Sequence, residues 1–272
     1  MNIPKRLLDF YIDSSVHVAL SCYALVRMTQ HIFQIEDSQR MPYFAFFGTI
    51  VGYNFVKYDA LARTKKVNMG SHLIAIVALS FIAFLGAVMS FYKLERSTQL
   101  VSIAFLGLTL LYTLPFFPNK SNARNWKGIK IFIVAFCWVG VTLILPVLDA
   151  GIIFTSDFYW KCVQRFLLLF VLITIFEIID LKTDDPNLQT VPQKIGVKQT
   201  KIIGSILLLI FYFLEFLQQN VRLSQLIVNV VLVTTMVISL WLANENRSKY
   251  YTSFWAESIP IFWWLLLLLF KM

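Results

Sequence analysis

Cysteine is scarce in this sequence. Cys22, Cys137 and Cys162 each lie in a different apolar stretch. None has a second Cys or a His at ligand spacing, so neither a disulfide framework nor a zinc site is supported, and the three read as small packing residues. Charge is scarce too: 14% of the 272 residues are charged and 58% are hydrophobic, which excludes an ordinary soluble domain. No polar tract is long enough to fold separately and no tandem repeat is evident, so residues 1–272 read as one domain. Lys5 and Arg6 precede an apolar run as in a secretory signal, but Asp9 and Asp13 interrupt it and no A-x-A site follows, so this segment reads as a retained first helix. The Arg-rich, Ser-rich, acid-poor character of a transit peptide is also missing, which makes a bacterial cytoplasmic membrane the simplest setting.

What the chain has instead is apolar length. Stretches of roughly 17 to 23 residues, each able to cross a hydrocarbon core of about 30 Å as a helix, recur along it. We expect an all-α polytopic bundle of nine transmembrane helices near 8–27, 42–62, 71–92, 98–117, 129–149, 160–181, 201–218, 222–243 and 254–270. The net charge of +9 would suggest nucleic acid in a soluble protein, but here it concentrates in alternate connections, among them Arg63 to Lys66, Lys120 to Lys130 and Lys182 to Lys201. The positive-inside rule makes those connections cytoplasmic and the N-terminus cytoplasmic with them, with lipid and not nucleic acid as the partner. Lys161 is counted among the sparser charges of the opposite side.

Polar groups at membrane depth are costly and cluster at two expected cytoplasmic helix ends. One reads Gly52-Tyr53-Asn54-Phe55-Val56-Lys57-Tyr58-Asp59, the other Phe176-Glu177-Ile178-Ile179-Asp180-Leu181-Lys182-Thr183-Asp184-Asp185. On an unbroken helix Glu177, Asp180 and Asp184 fall within a sector of roughly 60°. Three carboxylates so placed repel unless a cation such as Mg²⁺, or a basic side chain, sits among them. The plainer alternative is a solvated, acid-rich helix end.

These features resemble the UbiA family of intramembrane prenyltransferases, which has nine helices and acidic motifs after the second and the sixth. Glu177, Asp180 and Asp184 match the second motif, and Thr190-Val191-Pro192-Gln193-Lys194-Ile195-Gly196 looks like the T-L-P-x-x-x-G continuation. Leu111-Tyr112-Thr113-Leu114-Pro115 is similar to the segment after the fourth helix. The first motif departs from the pattern: with Asn54 aligned, Phe55, Tyr58 and Ala62 stand where acids are expected, Asp59 is one residue out of register, and Lys57 shares a face with Asn54 and Tyr58.

The resemblance implies a transferase that moves a prenyl group from a polyprenyl diphosphate to an apolar acceptor, with Mg²⁺ on the diphosphate. On that basis Asp180 and Asp184 are the candidate catalytic metal ligands, with Glu177 an additional one. Asn54, Lys57, Tyr112, Lys120, Arg124 and Lys127 are candidate substrate contacts, although the loop cations serve equally as topogenic charge and Tyr112 as an interfacial residue. Lys57 could replace a missing metal by pairing with Asp180 or Asp184, or could neutralise them and leave a degenerate member that binds prenyl lipid or a partner without catalysis. A transporter is the third reading, on Asp9, Asp13, His17 and Arg27, in which Asp13 and His17 would share a helix face.

Overall fold

The computed structural model describes residues 3–36, 38–62, 70–114, 128–219 and 221–270, and among them only helices and their connections. The first expected helix is two. α1 (Ile3–Asp13) stops at Asp13, and α2 (Val16–Ile32) restarts after Ser15, whose φ of 62° lies in the left-handed region. α3 (Arg40–Ala62), α4 (Ser71–Phe91) and α5 (Arg96–Thr113) follow. α6 (Lys130–Val139) passes through a π-helical turn at Gly140–Ile144 into α7 (Leu145–Asp149). α8 (Ser156–Ile179) ends in a 3₁₀ turn at Asp180–Lys182. The short α9 (Val191–Ile195) leads into α10 (Val197–Phe213), α11 (Leu223–Leu242) and α12 (Ile259–Leu269), the last preceded by a π-helical turn at Tyr251–Ala256.

Six of these segments are long and apolar enough to cross a membrane, namely 71–91, 130–149, 156–182, 197–217, 223–242 and 251–269. They match six of the nine expected spans. The other three correspond to α2, α3 and α5, of 17, 23 and 18 residues, which fall outside that set. Only 17% of the apolar window of α4 is buried, and Phe81, Ile82 and Met89 are exposed on its outer face. In water that face would be an aggregation surface, whereas in lipid it needs no partner. The protein is an integral membrane protein.

The main core lies where α8 meets α6, α10 and α11 and where α11 meets α12, with Leu168, Ile175, Leu208, Leu232 and Leu267 at its centre. A second cluster joins α2 to α3 through Val26, Met41 and Ala45, and α2 also packs on α12. Close approach at the π-helical turn depends on Gly140, since a Cβ there would lie 2.1 Å from the ring of Phe105. A Gly140→Ala substitution therefore forces α5 from α6, with an expected loss of about 1–3 kcal/mol. Thermal unfolding of the detergent-solubilised protein checks this, and unchanged melting would mean that the ring turns aside.

Candidate functional site

Two polar clusters occupy one end of the bundle. The first surrounds the second acidic motif. Glu177 is buried in the last turn of α8, where its Oε2 accepts the backbone N–H of Val191 at 3.1 Å and so caps the start of α9. Thr190 opens α9, its N–H donating to Gln193 Oε1 at 2.9 Å, and Gly196 ends it with a φ of +80°, which glycine adopts without strain. The Thr190 to Gly196 signature is thus a capped helical turn folded back onto the acidic motif. Asp180 closes α8, with its carbonyl accepting the N–H groups of Thr183 and Asp184, each at 2.8 Å. The Asp184 carboxylate pairs with Lys130 Nζ at 3.5 Å, and both groups act electrostatically on Glu177. Gly128, just before α6, donates its N–H to Leu188 O at 3.1 Å and ties the start of that helix to the same loop.

The expected convergence of three carboxylates on one helix face is therefore corrected. α8 stops being α-helical at Ile179, the tighter 3₁₀ turn changes the angular step, and a lysine from α6 takes up Asp184. Among the described residues, no three His, Cys, Asp or Glu side chains gather as a metal-binding group. As placed, Glu177, Asp180 and Asp184 do not by themselves form a carboxylate cage for Mg²⁺. The counter-charge of Asp184 here is an ammonium.

The second cluster holds the degraded first motif. Asn54 is buried and fully engaged: Nδ2 donates to Ser14 O at 3.0 Å and Ser80 Oγ at 2.8 Å, and Oδ1 accepts from Ser15 Oγ at 2.7 Å. It staples α3 and α4 to the break between α1 and α2. Tyr58 Oη donates to Asp13 O at 3.0 Å, and Lys57 Nζ reaches Ile12 O at 3.4 Å. The carboxylates acting on Lys57 are Glu257 and Asp13. The expected pairing of Lys57 with Asp180 or Asp184 is not seen; its nearest polar contact is Ile12 O, and Glu257 and Asp13 act on it from beyond ion-pair distance. Tyr112 is buried within electrostatic reach of Tyr53, whose Oη accepts the Trp138 indole N–H at 3.0 Å. The side chain of Asp59 and residues Lys120, Arg124 and Lys127 lie outside the described ones.

Asp13 and His17 do not share a helix face. The backbone break at Ser15 destroys the four-residue spacing. His17 instead contacts Tyr11 Oη at 2.8 Å, Phe254 O at 2.9 Å and Ser258 Oγ at 3.1 Å, while Asp13 faces His72 at 3.4 Å and Lys249 at 3.9 Å. Lys161 is also relocated: it lies inside α8, buried and paired with Glu215 at 2.9 Å.

No family model matches the sequence, and no curated protein matches it. Solved structures do match. A UbiA homologue from Aeropyrum pernix K1 superposes with a TM-score of 0.62 at 12% identity, over 96% of this chain and 98% of that one. A digeranylgeranylglyceryl phosphate synthase superposes with a TM-score of 0.57 at 13% identity, over 98% and 97%. The chain has the UbiA-type fold along its whole length.

Proposed function

We propose that this protein is a UbiA-type membrane prenyltransferase, with the end that carries Glu177, Asp180 and Asp184 facing the cytoplasm and binding the diphosphate of a polyprenyl donor. The observation that supports this most directly is the acid–lysine cluster at the end of α8, held by the folded-back α9 in a chain with the fold of a lipid phosphate synthase. Lys130 and the loop cations Lys120, Arg124 and Lys127 meet the diphosphate as charge-assisted donors. Tyr112, beside Tyr53 and Trp138, lines the apolar interior, where water must be excluded from an allylic cation.

The test is binding of geranylgeranyl diphosphate to the purified protein, with Mg²⁺ and with EDTA, beside an Asp180→Asn, Asp184→Asn double variant. We expect binding that survives EDTA and weakens about tenfold or more in the variant, in which Lys130 loses its orienting carboxylate. Equal binding by the variant would remove these residues from the site.

The pairing of Asp184 with Lys130 favours one second reading: a catalytically degenerate member that holds a prenyl lipid without reacting it. Single-turnover assays with labelled donor separate the two. Transfer to any lipid or aromatic acceptor supports the enzyme, and binding with the donor returned intact supports the degenerate member.

A further inference from the structure

Toward the middle of α8, about 14 Å from its first residue, Arg165 is buried at 2% exposure. Its N–H groups donate to Leu25 O at 3.3 Å, Thr142 Oγ1 at 3.1 Å and Thr29 Oγ1 at 3.4 Å, all neutral acceptors. Three bonds leave part of the five-donor guanidinium unused, and arginine keeps its charge in proteins. The guanidinium carbon lies 5.4 Å from the ring centre of Trp263, which is 4% exposed and whose indole N–H is without a partner. Both side chains line one cavity, together with Lys161, Glu215, Phe211 and Leu143. The space open to the centre of a small bound particle is about 10 Å³.

The charges around it do not balance. Glu215, the one carboxylate in the lining, is taken up by Lys161 at 2.9 Å, Gln164 Nε2 at 3.0 Å and Asn229 Nδ2 at 2.9 Å. The cavity therefore has two cations against one anion, and donors without acceptors, inside a membrane bundle where an unpaired charge is costly.

We infer that the cavity between Arg165 and Trp263 is a binding site for a single monatomic anion of chloride size. The spare guanidinium N–H groups and the indole N–H would donate to the ion, and the apolar faces of Phe211 and Leu143 suit a weakly hydrated halide better than an oxyanion. The site is independent of the diphosphate end, since it is built from different residues of α2, α8, α10, α11 and α12.

The experiment is thermal unfolding of the purified protein in sodium chloride, bromide and gluconate at equal ionic strength. A saturable rise of about 2–4 °C in chloride and bromide over gluconate is expected. A Trp263→Phe substitution, which keeps a ring and removes the donor, should lower the halide affinity about tenfold or more. Identical melting of the native protein in chloride and gluconate, which would leave only water in the cavity, overturns the assignment. So does a halide effect of undiminished affinity in Trp263→Phe. Should that variant fail to fold, bromide anomalous scattering from the native protein decides: a peak between Arg165 and Trp263 supports the site, and its absence refutes it.

Discussion

Replacing Glu215 by Ala is expected to destabilise the protein by about 3–5 kcal/mol, enough to lower its melting temperature by roughly 10 °C. Both carboxylate oxygens accept Lys161 Nζ at 2.9 Å, and Gln164, Asn229 and, through Asn229, Gln225 complete the network. The pair is buried on both sides, so removing the acid leaves an ammonium in the bundle without its paired counter-charge, with Asp157 acting only weakly on it and a second cation at Arg165 nearby. The cost comes from the orphaned charge and not from the loss of a favourable pair. A Lys161→Met, Glu215→Leu double variant should therefore melt well above Glu215→Ala, because it removes both charges at similar volume. If the double variant melts as low as the single one, the network holds α8 against α10 by shape, and the electrostatic account is wrong.

How far the sequence could be read differs between the helices and their partners. The stretches expected at 71–92, 129–149 and 222–243 coincide with Ser71–Phe91, Lys130–Asp149 and Leu223–Leu242 within a residue or two, because hydrophobic length is a local property. The break between α1 and α2 was missed because the apolar content continues across it. Its signal was the Ser14-Ser15 pair after Asp13, polar residues with no obvious partner at membrane depth, and the partner proved to be Asn54, some forty residues away. Glu215 and Arg165 are single charges within apolar runs, which by itself marks a buried polar site. The identity of their partners depends on how α8 packs against α2 and α10, and no local pattern carries that. The acidic motif was legible as a cluster but not as a salt-bridged one, since Lys130 enters from the start of a different helix. The position of Lys130 in the chain alone reads only as topogenic charge.

That reassignment of Lys130 leads to the prediction with the largest effect on binding. In the native protein the ammonium lies 3.5 Å from Asp184 and within electrostatic reach of Glu177, so Asp184 has its counter-charge without metal. Substituting Lys130→Ala removes that charge and leaves Glu177 and Asp184 as mutually repelling carboxylates beside the negatively charged end of a lipid diphosphate. Binding of geranylgeranyl diphosphate in EDTA should fall about tenfold to a hundredfold, the worth of one charge-assisted contact. Millimolar Mg²⁺ should then restore part of it, because the freed carboxylates and the diphosphate oxygens together offer the hard oxygen ligands that this ion takes. The informative quantity is the change in metal dependence: small in the native protein and large in the variant. Full binding by Lys130→Ala in EDTA would show that the ammonium serves the fold alone and that the diphosphate rests elsewhere. A loss that Mg²⁺ cannot repair would show that Glu177 and Asp184 are held too far apart, by the Val191 cap and the 3₁₀ turn, to share an ion. The site would then be one that recognises anionic lipid heads through lysine alone.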